Sequence, residues 1–312
     1  MGVKNLIKLI EKYSLDAIKY TNICDYTNKT IGIDANLLLY KLIFGIRVNG
    51  YDIKNGDIVV THIHTLLLKL IAFKCYNINP VFVFDSLPPE IKYATLEQRK
   101  KTKKNLMEKY KDSTTDKGKR IYYYIKTDLT SKEFNDCRQL ITLFDYTIID
   151  AKEEADAQLV QLYNAKLVDF IASDDMDILL FGGGVLLKKF SIAENKKIQQ
   201  ITLSVILNDA KITMDQFIQI GILMGTDYCN NKNFSASKAY QLIKDYGSMN
   251  NIPDAENCDN AFDYFKTPPV LDIDSVSIYN NLKSRELINF LKTFNFKEKY
   301  IEKIFENIRD SG

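Results

Sequence analysis

Three carboxylates, those of Asp174, Asp175 and Asp177, directly follow an apolar segment that is typical of a buried strand. In residues 168–172 only Asp169 is polar, so we predict a parallel strand that ends just before these acids. Side chains at the carboxyl ends of strands in an open α/β sheet lie where such folds bind ligands. Taken alone, however, a DDMD motif is more typical of a solvated N-cap for the next helix. The chemical interpretation therefore depends on whether acids recur at equivalent positions.

The same arrangement, an apolar segment followed by acid, recurs at four further places. The acids concerned are Asp34 after residues 31–33, Asp85 after 81–84, Glu154 and Asp156 after 147–149, and Asp227 after 222–226. Converging carboxylates repel one another unless cations neutralise them. Oxygen ligands without nearby His or Cys select hard cations, which predicts Mg²⁺, with Mn²⁺ as the substitute. Two such ions about 3.5–4 Å apart are the usual apparatus of phosphodiester hydrolysis.

Residues 92–130 are strongly basic and contain too few apolar side chains to form a core. A run of this kind is as often a solvated helix as a functional surface. Lys92 and Arg99 are seven residues apart, which places both on one face of a helix, two turns from each other. Because they follow Asp85 closely, we predict that they reach the phosphate at the metal site, Lys as a point charge and Arg as a bidentate fork.

Length and composition set the outer limits of the interpretation. The chain has 312 residues, which is long enough for one large α/β core with an appendage. Its net charge is +2. It has no apolar run of about 18 residues and no signal-peptide pattern, so we expect no membrane association. The five cysteines are odd in number and widely separated, which predicts reduced thiols and argues against zinc. His62 and His64 have no evident metal-binding partners, so we interpret them as structural.

The apolar patterns also predict individual elements. Residues 2–19 are predicted to form a lysine-rich amphipathic helix, and residues 49–57 a turn-rich loop. Residues 185–190 are predicted to form an edge strand or a hairpin arm. Beyond Asn230 the pattern changes to separate helical segments.

The order and spacing of the seven acids, with Lys92 and Arg99, resemble the flap endonuclease branch of the XPG family of structure-specific 5′ nucleases. The resemblance covers nearly the whole chain and includes the segments MGVKNLIKLI, IGIDAN, PVFVFDSLPPEIK, EEADA, SDDMDILLFG, GTDYC and PPVLDIDSV. It implies an α/β fold with a mostly parallel central sheet flanked by helices, a PIN-like nuclease core, in residues 1–228. Within that core, residues 92–130 would form a basic helical arch. Residues 229–312 would form a helix-two-turn-helix and a C-terminal helical region.

The resemblance also implies roles for individual residues. One metal ion would be held by Asp34, Asp85, Glu154 and Asp156, and the other by Asp175, Asp177 and Asp227. Lys92 and Arg99 would be the catalytic cations at the start of the arch, through which the 5′ strand threads. Tyr40 would stack on a base near the scissile phosphate. The other expected DNA contacts are Gly2, Arg47, Lys69, Lys103, Lys104, Gly225 and Lys238.

Two features depart from the family pattern. The family's helix-two-turn-helix binds K⁺ through a glycine-rich hairpin, whereas residues 233–238 read NFSASK here. Without glycine, positive φ is less accessible, which argues against a K⁺ site, while duplex contact by Lys238 is retained. The chain stops soon after Ile308 without the aromatic-ended peptide that docks relatives on the sliding clamp, so we expect no clamp docking of that kind.

The resemblance implies a 5′ flap endonuclease with 5′→3′ exonuclease activity, acting on flapped or junction DNA in replication, repair or recombination. Two alternatives stay open. The first is an RNA endonuclease on the same fold, which competing DNA and RNA substrates of identical sequence would separate. The second is a non-catalytic scaffold that binds DNA junctions, and the intact set of acids argues against it. We expect a monomer inside the cell, in the nucleus or, for a viral protein, in the cytoplasm.

Overall fold

A computed structural model of the chain describes residues 3, 5–126, 128–229, 234–253, 258–276 and 281–309. The strands are β1 (Ile18–Thr21), β2 (Thr30–Asp34), β3 (Lys54–Asn55), β4 (Ile58–Val59), β5 (Asn79–Phe84), β6 (Thr147–Asp150), β7 (Phe170–Ala172), β8 (Val185–Lys188) and β9 (Ile198–Thr202). The helices are α1 (Leu6–Tyr13), α2 (Ala35–Arg47), α3 (Thr61–Cys75), α4 (Tyr93–Tyr110), α5 (Asp116–Lys126), α6 (Ser131–Leu143), α7 (Ala155–Asn164), α8 (Asp177–Leu180), α9 (Leu203–Ala210), α10 (Met214–Met224), α11 (Ala236–Tyr246), α12 (Asp259–Lys266), α13 (Ser284–Thr293) and α14 (Glu298–Arg309).

Among the described residues, seven strands form the central sheet, in the order β1-β9-β8-β7-β2-β5-β6. The five strands from β8 to β6 are mutually parallel, whereas β9 runs antiparallel to both β8 and β1. The predicted α/β fold with a mostly parallel sheet is confirmed. Strand β8 is an arm of a hairpin with β9, but the expectation that it could be an edge strand is wrong, because β9 and β1 extend the sheet beyond it.

Helices cover both faces of the sheet, which is why the middle residues of its inner strands are apolar. All six residues of β5 are buried. On the adjacent strand β2, a Cβ added to Gly32 would come within 2.7 Å of the Leu159 side chain of α7. Glycine at this position therefore lets α7 lie close against β2, and α7 carries Asp156 while β2 ends at Asp34.

Two predicted elements differ from the structure. The N-terminal helix is shorter than predicted, because residues 15–17 form a 3₁₀ turn and Ile18 pairs with Ile201 at the start of β1. The predicted loop at residues 49–57 contains strand β3, which pairs with β4, and Gly56 turns between them with a φ of 63°. In both places the pairing of strands, β1 with β9 and β3 with β4, outweighs the structure that the local sequence pattern predicts.

The C-terminal helices share their apolar cores with the sheet domain. Buried residues of α11 and α12 join the core that contains α7 and α10, and those of α13 and α14 join the core that contains α3 and α6. The predicted boundary between residues 228 and 229 therefore does not separate two hydrophobic cores.

Two of the five cysteines depart from the prediction. Cys229 and Cys258 form a disulfide, with their Cα atoms 6.0 Å apart, so the prediction that all five thiols are reduced is wrong for this pair. The packing of α10 against α12 brings the two cysteines together, and a separation of 29 residues in sequence gave no sign of it.

His62 is buried beside Asp136, and His64 stacks on Phe296, which fits the structural role expected for both. Across the described ranges, no helix combines the length and the apolar character that a bilayer span requires.

Candidate active site

The predicted acids meet at the carboxyl edge of the central sheet. Asp34 ends β2 and Asp85 directly follows β5, and these two strands are parallel neighbours in the sheet. Asp34 also caps α2, since its Oδ1 accepts a hydrogen bond from the backbone N of Leu37 at 2.9 Å. Oδ1 of Asp85 accepts one from the backbone N of Ala155, the first residue of α7, at 2.8 Å. The amino-terminal turns of two helices, α2 and α7, therefore fix these carboxylates.

The acidic motif after β6 places two further carboxylates beside them. Glu154 is the N-cap residue of α7, and Asp156 lies in the first turn of that helix. Glu154 is held on both oxygens, since Oε1 accepts from Nζ of Lys92 and Oε2 accepts from the hydroxyl of Tyr228, each at 2.5 Å. Oδ1 of Asp156 is buried and has no hydrogen-bond partner among the described residues.

A compact turn after β7 holds Asp175 and Asp177. The backbone N of Asp175 donates to Oγ of Ser173 at 3.0 Å, and Oδ1 of Asp175 accepts from the backbone N of Asp177 at 3.1 Å. Asp177 is 1% exposed, and its Oδ1 accepts from the backbone N of Val3 at 2.8 Å. Asp174 instead pairs with Lys41 at 2.5 Å through Oδ2 and accepts from the backbone N of Lys189 at 2.7 Å through Oδ1, so both of its oxygens are bound outside the acidic cluster.

Burial and mutual repulsion disfavour the ionised acids. Burial, followed by the charge of Asp85, raises the pKa of Asp34 to about 8. Burial, followed by the charge of Asp175, raises the pKa of Asp156 and of Asp177 well above the ordinary value of an aspartate. A bound cation would reverse this effect by favouring the charged form of each acid.

The donor set fits hard divalent cations. All seven acids supply only oxygen ligands, and the unpartnered Oδ1 of Asp156 is available to coordinate a cation. In the part of the chain that the structure describes, no three His, Cys, Asp or Glu side chains are arranged closely enough to hold a metal ion as they stand. Two of the acids, Glu154 and Asp227, instead bind protein cations. Mg²⁺ keeps several of its waters and needs few direct protein ligands, so the open arrangement is compatible with it.

Both predicted catalytic cations reach the acids from the arch. Nζ of Lys92 lies 4.2 Å from the ring centre of Tyr228, in addition to its pairing with Glu154. Nη2 of Arg99 donates to Oδ1 and Oδ2 of Asp227 at 2.7 and 2.6 Å. Lys92 ends a 3₁₀ turn and is the N-cap residue of α4, whereas Arg99 lies within α4, and both side chains reach acids of the cluster. Their catalytic role stays a prediction. Sequence reasoning missed Tyr228, although its position next to Asp227 in the GTDYC segment was a usable signal.

Several predicted DNA contacts occupy accessible positions. Tyr40 on α2 is 37% exposed and stacks on Phe44 with the ring centres 5.5 Å apart. Lys104 is exposed on α4, Lys103 is partly exposed there and pairs with Asp128 at 2.7 Å, and Lys238 is exposed in the first turn of α11. These four stay predicted DNA contacts.

The remaining predictions on DNA and K⁺ concern backbone positions. Gly225 ends α10 with a φ of 102°, where a side chain would be strained. Gly2 lies outside the described residues, and so does Asn233 of the segment at which the sequence argues against K⁺.

Arg47 and Lys69 are placed differently from the prediction. Each is only 3% exposed, which leaves no surface for contact with a phosphate backbone. Arg47 pairs with Asp52 and Glu133, and Nζ of Lys69 donates to the carbonyl of Phe190 at 3.1 Å. We therefore reassign both residues from DNA contacts to internal contacts. The sequence could not show this, because their acidic or carbonyl partners come from other segments.

Comparison with known proteins agrees with this geometry. The XPG N-terminal domain matches residues 1–106, and the XPG I-region matches residues 146–227. Flap endonuclease 1 of Naegleria gruberi is 31% identical over 303 residues, which cover 94% of this chain and 77% of that protein. Flap endonuclease 1 of Theileria parva is 31% identical over 322 residues, which cover 99% of this chain but only 65% of that protein.

Solved structures support the same assignment at the level of the fold. The catalytic core of Rad2 in complex with DNA substrate superposes with a TM-score of 0.77 at 21% identity, covering 96% of this chain and 99% of that one. The two matched regions together contain all seven acids and both arch cations. The chain belongs to the flap endonuclease branch of the XPG family of nucleases.

Proposed function

We propose that the protein is a metal-dependent 5′ flap endonuclease with 5′→3′ exonuclease activity on DNA that carries flaps or junctions. The observation that carries this proposal is the contact between the arch and the acids, made by the pairs Lys92–Glu154 and Arg99–Asp227. It places two cations beside carboxylates that suit divalent metals, and a phosphodiester needs both kinds of group around it. Relatives named flap endonuclease 1 support the same substrate class.

We infer two Mg²⁺ ions as the resident metals, with Mn²⁺ as a substitute. Asp34, Asp85, Glu154 and Asp156 would hold one ion, and Asp175, Asp177 and Asp227 the other. When bound, the ions lower the pKa of an attacking water and stabilise the leaving 3′ oxygen.

The chain's own contribution is to bind and orient the scissile phosphate. Lys92 is held in place by the face of Tyr228 and is only 13% exposed, so it is a pre-positioned point charge in a site of low dielectric. Arg99 is 53% exposed and can exchange its carboxylate partner for a phosphate. Tyr228 fixes Glu154 through its hydroxyl, which keeps that carboxylate turned towards the other acids.

The DNA strand would run along the exposed basic side of the arch. Lys103 and Lys104 would steer its phosphates, Tyr40 would stack on a base, and Lys238 would contact the duplex. Stacking on aromatic side chains combined with cationic contacts is the usual way to hold single-stranded DNA without reading its sequence.

A cleavage panel with matched acid variants tests the proposal. Labelled flap, nick, gap, bubble and hairpin DNAs are compared for wild type, Asp175→Asn and Asp174→Asn. We expect Asp175→Asn to lose cleavage with Mg²⁺ while it still binds the flap, and Asp174→Asn to keep both, because Asp174 lies outside the cluster. Wild type that binds flaps but cuts none of the panel would favour the scaffold. Preferential cutting of an RNA flap of identical sequence would favour the RNA endonuclease.

We further propose a monomer that acts inside the cell, in the nucleus or, for a viral protein, in the cytoplasm. The proposed location rests on the expected DNA substrate alone. The disulfide between Cys229 and Cys258 does not support it, because disulfides are rare in reducing compartments.

A further inference from the structure

Arg47, the last residue of α2, joins two carboxylates that are distant in sequence. Its Nε donates to Oδ1 of Asp52 at 2.9 Å, and its Nη2 donates to Oε1 of Glu133 at 2.5 Å. The side-chain exposures of Arg47, Asp52 and Glu133 are 3%, 9% and 11%, so solvent screens these ion pairs little. Such buried pairs hold their geometry firmly, because loss of one partner strands a buried charge.

Each of the two carboxylates also binds the second half of the arch. Oδ2 of Asp52 accepts a hydrogen bond from the hydroxyl of Tyr123, on α5, at 2.5 Å. Oε2 of Glu133 accepts from the backbone N and from Oγ1 of Thr130, at 2.9 and 3.1 Å, and Thr130 is the N-cap residue of α6. Arg47 is therefore connected to the arch twice, within α5 and at the point where the chain leaves the arch.

Asp52 binds both the core and the arch, through different donors. It accepts three hydrogen bonds, from Arg47 on α2, from Thr61 on α3 at 2.7 Å, and from Tyr123 on α5. Burial alone would raise the pKa of Asp52, but these three donors together hold it below the ordinary value, so the carboxylate is charged at neutral pH. Of the three donors, only Tyr123 belongs to the arch. Its hydroxyl can be removed while both core donors remain.

We propose that Arg47, Asp52 and Tyr123 form a latch that positions the arch over the acidic cluster. The latch holds α5, which packs beside α4, and α4 carries Arg99. Arg47 and Tyr123 are thus positioning residues, and their effect on cleavage rests on the proposed flap endonuclease function. Their effect on the arch itself does not.

The first experiment measures the arch without any nuclease assay. Tyr123→Phe removes one hydroxyl, and Tyr122→Phe is the matched control, because Tyr122 lies in the same helix and its ring contacts Lys126 of that helix. Trypsin is added to the free proteins, and cuts within residues 93–126 are followed by mass spectrometry. We expect Tyr123→Phe to accelerate these cuts about tenfold, the size expected for loss of a hydrogen bond to a charged acceptor. Cuts elsewhere and the melting temperature should stay as in the control.

The second experiment asks whether the latch serves catalysis. At saturating enzyme, Tyr123→Phe should lower the single-turnover rate on a 5′ flap about tenfold, with a much smaller change in the dissociation constant for the DNA. A merely structural role would instead lower the melting temperature and speed proteolysis across the whole chain. That result, or arch cleavage equal to the Tyr122→Phe control, would overturn the latch. If arch cleavage rises as expected but wild type cuts no flap, the latch stands and the proposed function fails.

Discussion

Arg99 on the arch donates two hydrogen bonds from Nη2 to the two carboxylate oxygens of Asp227, at 2.7 and 2.6 Å. Arg99, which is expected to bind the substrate phosphate, is thus paired with Asp227, which is expected to bind a metal ion. Both charges are neutralised in this arrangement, and both would be released if a metal ion bound Asp227 and a phosphate bound Arg99. The pair Lys92–Glu154 repeats the relationship on the other side of the cluster.

Arg99→Ala should lower the single-turnover rate far more than it weakens DNA binding. Its bidentate contact matters most while charge develops on the phosphoryl oxygens, and loss of one such donor typically costs about 10²–10³ in rate. Rapid-quench cleavage of a labelled flap at saturating enzyme measures the rate, and fluorescence anisotropy measures binding.

Lys103→Ala and Lys104→Ala are the matched comparison, because both lie further along the same helix. They should mainly raise the dissociation constant and reduce its salt dependence, by roughly one unit of slope per lost phosphate contact. Equal loss of rate in these variants and in Arg99→Ala would mean that the arch is an undifferentiated basic patch.

Asp34→Asn should abolish cleavage with Mg²⁺ and stabilise the metal-free protein. Asn keeps the N-cap of α2 but removes the charge. In the folded protein the carboxyl keeps its proton up to about pH 8, whereas the unfolded chain loses it near pH 3.9. The folded state therefore binds more protons in that interval, and the free energy of unfolding falls as pH rises across it.

Thermal unfolding in a metal chelator at pH 5, 7 and 9 measures this difference. The advantage of Asp34→Asn over wild type should grow with pH and level off above pH 8, reaching at least about 2 °C. A variant that melts below wild type at pH 9 would contradict the repulsion argument.

Lys69→Met should remove a pH dependence of the opposite sign. Burial lowers the pKa of Lys69 to about 7, whereas an unfolded lysine titrates near 10.4. Between these values the unfolded chain binds more protons, so the stability of wild type rises with pH, by on the order of 1 kcal/mol per unit. Chemical denaturation at pH 7, 8 and 9 checks this, and parallel curves for wild type and variant would show that Lys69 does not titrate in this range.

Reduction of the disulfide between Cys229 and Cys258 should destabilise the protein. Closing a loop of 29 residues stabilises the folded state by about 3 to 4 kcal/mol in the chain-entropy treatment. The melting temperature should fall on addition of a dithiol and equally in Cys258→Ser. Cys24→Ser is the control, because Cys24 is a free, exposed thiol whose loss should change little. An unchanged melting temperature after complete reduction would show that the bridge adds no stability.

The sequence by itself determined which residues could do the chemistry. Acids placed after apolar strands must meet at one edge of a parallel sheet, because successive crossovers return each strand in the same direction. The positions of Asp34, Asp85 and Asp175 follow from that rule. The seven-residue spacing of Lys92 and Arg99 predicted a shared helical face. In the structure both reach the acids, although Lys92 is the N-cap residue of α4.

Only the tertiary structure decided which cations are free to meet DNA. Arg47 and Lys103 are both basic, yet Arg47 is buried between two carboxylates, whereas the Lys103 side chain is 41% exposed and pairs with Asp128. The bond between Cys229 and Cys258 was equally invisible, because it depends on how α10 packs against α12. Local patterns determine strands, helices and their faces, whereas burial and pairing depend on partners from distant segments, which residue spacing does not encode.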